Sequence, residues 1–188
     1  MVAAQASAAD ETSSDSRIRV GIAVGQVNLQ SKNLADFDET STGWNLAAGY
    51  EFNRYVALEL GWLDAGKAVA EYAVAPGVDE TDEVESHAWL GTVVATWPIN
   101  DTVSIYGRGG LMSWSSTTRI KLNGALAIPE TKDSGSDPYY GLGVAVHVDS
   151  GMIRLEYDLF SAGAKVGSTK FPADGSFVSL GVVWRFSL

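Results

Sequence analysis

From Phe177 to Phe186 the chain reads Phe-Val-Ser-Leu-Gly-Val-Val-Trp-Arg-Phe, with Val178, Leu180, Val182, Trp184 and Phe186 on one side and Ser179, Gly181, Val183 and Arg185 on the other. A repeat of two is that of a β-strand, whose successive side chains point to opposite faces. The second face is the constraint. A soluble sheet usually dots the face away from its core with Lys, Glu and Thr, whereas here that face carries Gly, Ser, one Val and an Arg, and the apolar row ends in two aromatics. Such a strand suits lipid on its apolar side and a crowded polar lumen on the other.

Seven more stretches follow the same rule. Arg17 to Leu29 sets Ile18, Val20, Ile22 and Val24 against Arg17, Arg19, Gly21, Ala23 and Gly25. Trp44 to Phe52 places Trp44, Leu46, Ala48, Tyr50 and Phe52 on one face, and after the turn at Asn53-Arg54 a strand from Tyr55 sets Val56, Leu58, Leu60 and Trp62 against Ala57, Glu59 and Gly61. The stretch from Ser86 to Trp97 is the weakest, because Leu90, Val93, Val94 and Ala95 put apolar groups on both faces. Beyond the turn at Pro98 to Asp101, Val103, Ile105, Gly107, Gly109 and Leu111 alternate with Ser104, Tyr106, Arg108 and Gly110. Tyr140, Leu142, Val144, Val146 and Val148 oppose Gly141, Gly143, Ala145 and His147; after Asp149-Ser150-Gly151, Ile153, Leu155, Tyr157 and Leu159 interleave with Arg154, Glu156 and Asp158.

The connections alternate between long (31–42, 66–85, 115–137, 161–175) and very short. Short periplasmic turns and longer extracellular loops are the asymmetry of outer-membrane barrels, and an even strand count lets the last strand close antiparallel on the first. The expected fold is therefore all-β: an eight-stranded antiparallel up-and-down transmembrane β-barrel with short periplasmic turns and four long extracellular loops, in the bacterial outer membrane. A soluble ligand-binding barrel would place its apolar face inside; here the strand charges share a face with Gly, Ala and Ser.

Bulk properties agree. No run of eighteen apolar residues occurs, which excludes a transmembrane helix and leaves barrel strands untouched. A net charge of −10 argues against nucleic acid as a partner, and the lack of Cys removes disulfides and thiolate metal sites. Residues 1–16 form a polar leader in which Ala6-Ser7-Ala8 has the form of a signal-peptidase site, so they are either a signal-peptide remnant or a disordered leader, with residues 17–188 as the barrel domain.

Several segments carry a family likeness. Gly49-Tyr50-Glu51-Phe52-Asn53-Arg54-Tyr55-Val56 resembles the Gly-Tyr-x-x-Asn-Pro-Tyr-Val turn of the outer membrane protein A family, with Arg54 where Pro is usual. Pro98-Ile99-Asn100-Asp101 followed by Ile105-Tyr106-Gly107-Arg108 is similar to that family's second turn and fifth strand. Arg154-Leu155-Glu156-Tyr157, and Ser179-Leu180-Gly181-Val182 with Arg185-Phe186, look like its last two strands. Larger members carry a periplasmic peptidoglycan-binding domain after the barrel, so the chain is expected to be either a barrel-only relative or the barrel of a longer protein.

The resemblance also implies roles. Glu59 and Arg154 fall where the family has an interior carboxylate–guanidinium pair proposed as a gate, while the alternative partners of that pair align with Val94 and Ala145. An eight-stranded barrel leaves an interior just wide enough for side chains, so charges there must pair or cost several kcal/mol each. Glu59, Arg154, Arg108, Glu156, Asp158 and Arg19 are thus expected to form a lumen network that plugs the barrel, with a narrow or gated pore as the alternative. Trp44, Tyr50, Phe52, Trp62, Trp97, Tyr157, Trp184 and Phe186 read as an aromatic girdle. Ser179, Gly181, Trp184 and Phe186 resemble the last-strand signal read by the barrel-assembly machinery.

The expected partners are outer-membrane lipid, lipopolysaccharide and that machinery, with the chain a monomer; the resemblance, not the residues, implies contact with host surfaces or phage through the loops. No cofactor is expected. His87 and His147 lack metal-ligand spacing, and the acidic run Asp79 to Glu83 lacks the spacing of a calcium loop. Ser86-His87 beside Glu85 is the nearest approach to a catalytic cluster, but neighbours on a strand face opposite ways, so no enzyme is expected.

Overall fold

The computed structural model describes residues 17–31, 38–75, 78–122, 125–126, 131–166 and 169–187, so the leader expected over residues 1–16 lies outside the described residues. The strands are β1 (Arg17–Ser31), β2 (Asp38–Glu51), β3 (Val56–Ala75), β4 (Val78–Pro98), β5 (Val103–Leu122), the two-residue β6 (Ala125–Leu126), β7 (Thr131–Val148), β8 (Gly151–Val166) and β9 (Thr169–Ser187). Apart from β6, each long strand pairs antiparallel with two neighbours: β1 with β2 and β9, and β4 with β3 and β5. The sheet thus closes into an eight-stranded ring.

Register settles what faces where. Ile22 lies opposite Leu46 on β2 and Val182 on β9, so apolar outward residues stand beside one another around the ring. Leu142 and Trp97 are each 71% exposed, and no charged residue shares the outward face over 18–24, 44–50, 56–62, 89–97, 103–111, 140–148, 153–159 or 178–186. Past this belt the outward positions turn polar together. Gln26 faces Thr42, Asp64 faces His87 and Ser113 faces Ser136, which marks the outer water boundary of the apolar band.

The two longer turns are built alike. Asn53 Oδ1 accepts from the backbone N–H groups of Tyr55 and Val56 at 2.8 and 3.0 Å, and Asn100 Oδ1 accepts from those of Thr102 and Val103 at 2.9 and 2.7 Å. Each Asn satisfies donors that the turn would otherwise leave without an acceptor. The third turn, Asp149-Ser150, is shorter, and Asp149 takes a positive φ of 45°, a conformation Asp tolerates better than most residues.

The loops differ from expectation. Much of 31–42, 66–85, 115–137 and 161–175 is strand: β3 and β4 stay paired out to Ala75 and Val78, β4 and β5 to Glu80 and Leu122, and β8 and β9 to Val166 and Thr169. Above the belt the outward face no longer meets lipid, so the contrast between faces fades from the sequence while backbone pairing continues. Here the ring also splits. Pairing of β2 with β3 ends at Trp44 and Asp64, and that of β7 with β8 ends at Tyr139 and Phe160, leaving a β3-β4-β5-β7 sheet and a β8-β9-β1-β2 sheet above the membrane. The ambiguous strand resolves too: Ala88, Leu90, Thr92 and Val94 are buried inside, with Trp89, Val93 and Trp97 outside.

An arginine inside the belt should therefore cost far more than one at its edge. Leu60→Arg is expected to lower stability by about 2–4 kcal/mol and Gln26→Arg by about 1 kcal/mol or less, measured by reversible denaturant unfolding in lipid vesicles.

Candidate functional site

Strand β8 supplies the spine of the interior site. Arg154, Glu156 and Asp158 recur every second residue on its inward face, and Arg108 of β5, Glu59 of β3 and Arg19 of β1 reach them from the facing walls. All six are at most 7% exposed. Withdrawn from water, these charges depend on each other.

The pairing is dense. Arg108 donates from Nε to Asp158 Oδ1 at 2.9 Å and from Nη2 to Asp158 Oδ2 at 2.6 Å, a two-pronged bond to a carboxylate with no exposed surface. The same Nη2 lies 3.2 Å from Glu156 Oε2 and donates to the Tyr139 hydroxyl. Arg154 donates from Nη1 to Glu59 Oε1 at 2.7 Å and pairs through Nη2 with Glu156. Glu59 bridges onward, its Oε1 lying 3.0 Å from Arg19 Nη2, and Arg19 Nη1 reaches Glu51 Oε1 at 3.3 Å. The Tyr106 hydroxyl donates to Glu156 Oε1 at 2.6 Å and accepts from Arg154 Nε at 2.9 Å. One connected web thus spans β1, β2, β3, β5, β7 and β8.

The backbone makes room for it. A Cβ on Gly141 of β7 would run into the Asp158 carboxylate and stand 3.1 Å from Arg108 Cγ and Nε. Glycine here permits a close approach.

The web lies between two unlike regions. On the outer side Val27, Leu63, Leu90, Met112, Trp114, Tyr139, Phe160 and Phe177 form a buried apolar cluster across the lumen, in which Val27, Tyr139 and Phe177 have no exposed surface. The sequence reading, which expected a polar lumen throughout, missed this layer. On the turn side, beneath Ala57, Val94, Ala145, Met152 and Val183, a cavity of about 380 Å³ opens towards the short turns. Val94 and Ala145 are each 1% exposed and supply no charge at the level of the Glu59–Arg154 pair.

In that vestibule Arg185 Nη2 donates to His147 Nδ1 at 3.1 Å, and His147 Nε2 stands 2.5 Å from Ser104 Oγ. A guanidinium can only donate, so Nδ1 is the bare nitrogen, Nε2 carries the proton, and the imidazole donates to Ser104. In this arrangement His147 cannot take the serine proton, so the contact is not a nucleophile–base pair. At the other end, Ser86 Oγ bonds Ser116 Oγ at 3.0 Å while His87 turns outward and stacks on Trp62, so the two part across the sheet.

Of the aromatics, Tyr50, Phe52, Trp97, Trp184 and Phe186 are exposed at strand ends beside the short turns. Trp44 and Trp62 lie at the outer border, where Trp62 packs edge-on to Trp89 with centroids 4.9 Å apart. Tyr157 departs from the girdle expected of it. It stands between Leu155 and Leu159 on the outward row of β8, two apolar positions flanking it, where the other named aromatics stand nearer strand ends or polar positions. On β9, Trp184 and Phe186 point outward, while Ser179 and Gly181 point inward and are buried. Sequence reasoning passed over Glu51, Tyr106 and Tyr139. Parity with Arg108 and Gly141 marks both tyrosines as inward; Tyr139 was lost because the strand was started one residue late.

The network predicts strong coupling. Asp158→Asn should destabilise the barrel by about 3–5 kcal/mol, because Arg108 keeps a full charge with half its pairing gone. The double variant Arg108→Met/Asp158→Asn should cost less than the two singles added, read from a double-mutant cycle of unfolding free energies in vesicles.

The closed ring and its apolar outer belt agree with comparisons to known proteins. Residues 13–188 match the OmpA-like transmembrane domain. Outer membrane protein A of Escherichia fergusonii is 29% identical over 149 residues, which is 79% of this chain and 41% of that protein, so the chain spans less than half the relative's length. Neisserial surface protein A superposes with a TM-score of 0.61 at 14% identity, over 92% of this chain and 98% of its own. The Yersinia pestis attachment invasion locus protein Ail, solved with the heparin analogue sucrose octasulfate, gives 0.59 at 18% identity over 92% and 99%. These two share the fold; the sequence match over every described strand goes further, and by it this outer-membrane barrel belongs to the family of OmpA-like transmembrane domains.

Proposed function

We propose that the protein is a structural element of the outer membrane: a plugged barrel that anchors in lipid and holds stiff hairpins above the surface. The observation that carries this reading is an ion-paired web lying under an apolar cluster in which Val27, Tyr139 and Phe177 have no exposed surface. On this reading the packing bars a continuous path of water. The second reading, a narrow or gated pore, draws support from the vestibule, which reaches inward as far as Arg154 and Tyr106.

Under this reading residues 17–188 are the barrel domain and residues 1–16 a leader. The belt meets outer-membrane lipid and lipopolysaccharide, the barrel works as a monomer, and Ser179, Gly181, Trp184 and Phe186 present the closing strand to the assembly machinery. Host or phage surfaces would meet the hairpins. Ail was solved with a heparin analogue, but this chain has a net charge of −10 and an acidic run from Asp79 to Glu83 at the β3–β4 tip. Like charges repel, so its hairpins suit neutral or cationic surfaces.

Two experiments test the reading. In planar bilayers the wild type and Glu59→Ala should both be silent while still showing faster mobility unboiled than boiled on SDS gels. Discrete openings in a folded Glu59→Ala barrel would overturn the plug and favour the gated pore. Vesicles carrying the protein should also pass through a heparin column unretained at physiological ionic strength, and retention there would refute the electrostatic argument.

A further inference from the structure

We propose that the vestibule at the short-turn end is an oxyanion-binding site centred on Arg185. The argument begins with an imbalance. Arg19 has Glu51 and Glu59, Arg108 has Asp158 and Glu156, and Arg154 has Glu59 and Glu156, so each guanidinium of the web meets two carboxylates. Arg185 meets none among the described residues. Its side-chain partner is His147, which must be neutral to accept from it and therefore brings no countercharge. Its Nε is shut away from solvent without an acceptor.

A partly buried guanidinium without a carboxylate is short of countercharge, and an external anion meeting its Nη groups from the cavity supplies that. The surroundings fit one. The cavity of about 380 Å³ is lined by Arg19, Arg54 and Arg154 as well as Arg185, with Thr96 and Asn100 as neutral donors. Three acids also line the space, and they do not cancel this: Glu51 is held by Arg19, while Asp101 and Asp149 are exposed to water at the rim. Arginine forks match carboxylate and phosphate alike. The ligand class is therefore a small oxyanion, reaching the vestibule either as a solute or as a phospholipid head group at the membrane border.

The test uses the chain refolded in octyl glucoside, which carries no phosphate, with folding verified by heat-dependent gel mobility. The Arg185 Nε–Hε resonance, assigned by its disappearance in Arg185→Lys, is followed as inorganic phosphate or succinate is added at constant ionic strength. In a second arm the protein sits in phosphatidylglycerol nanodiscs without free phosphate. A saturable displacement with the soluble anions supports a solute site. The same displaced position in nanodiscs alone supports a head-group site. A resonance unmoved in both arms overturns the proposal. Phosphate should also raise the unfolding temperature of the wild type relative to chloride, and that gain should vanish in Arg185→Gln while shrinking in Arg185→Lys, which keeps the charge and loses the fork. A gain preserved in Arg185→Gln would overturn Arg185 as the centre.

Discussion

Hydrocarbon offers no partner to a backbone N–H or C=O, so every such group crossing the membrane must find one within the sheet. The pairing of β1 with β9, which joins the first strand to the last, is the step that makes this possible here. Once the ring is closed, an outward side chain meets lipid and an inward one meets seven other walls. The apolar belt follows from the first condition. The second fixes the interior, because eight strands leave too little room for bulk water and the side chains must satisfy one another.

The interior then obeys two solutions at two heights. Near the middle, arginines and carboxylates from opposite walls share protons and charge, and two tyrosines fill the remaining donor and acceptor positions. Nearer the outer mouth the same geometry is filled by Met112, Trp114, Phe160 and Phe177. Trp114 shows how the two meet, burying its ring in the cluster while its Nε1–H donates to Asp137 at 2.7 Å. Directional pairs tie particular strands together, whereas apolar packing fills volume without specifying a partner. The web is thus suited to fixing strand order and the cluster to excluding water.

How much of this was legible follows from the same physics. Within the belt the two faces meet different media, so alternation is strong, and stretches such as Ile18 to Val24 or Ile153 to Leu159 give both strand and orientation. Above the belt the outward face no longer meets lipid, and the paired segments of β3 and β4 beyond Asp64 lose their signature although the pairing persists. The strand from Ser86 to Trp97 blurred for the opposite reason, since Leu90 and Val94 face an apolar part of the lumen and both of its faces are greasy. The charges of β8 could be read as one inward row from spacing alone. Their partners across the lumen could not, because nothing local in the sequence brings Arg108 to Asp158, fifty residues away along the chain.

The layering also bears on what a rearrangement of the web could achieve. Glu59 touches Arg154 and Arg19, and its Oε2 lies 3.8 Å from Arg108, so its carboxylate has several guanidinium positions to move between. With Val94 and Ala145 at the same level, every such move ends on another member of the same web. Phe177 of β9, in the apolar cluster on the outer side, carries no group that bonds to the web. If the lumen is plugged as proposed, a path for ions needs the apolar cluster to open as well as the web. On the plugged reading the barrier to permeation is therefore shared between the web and the cluster, and exchange of salt-bridge partners alone leaves the cluster standing.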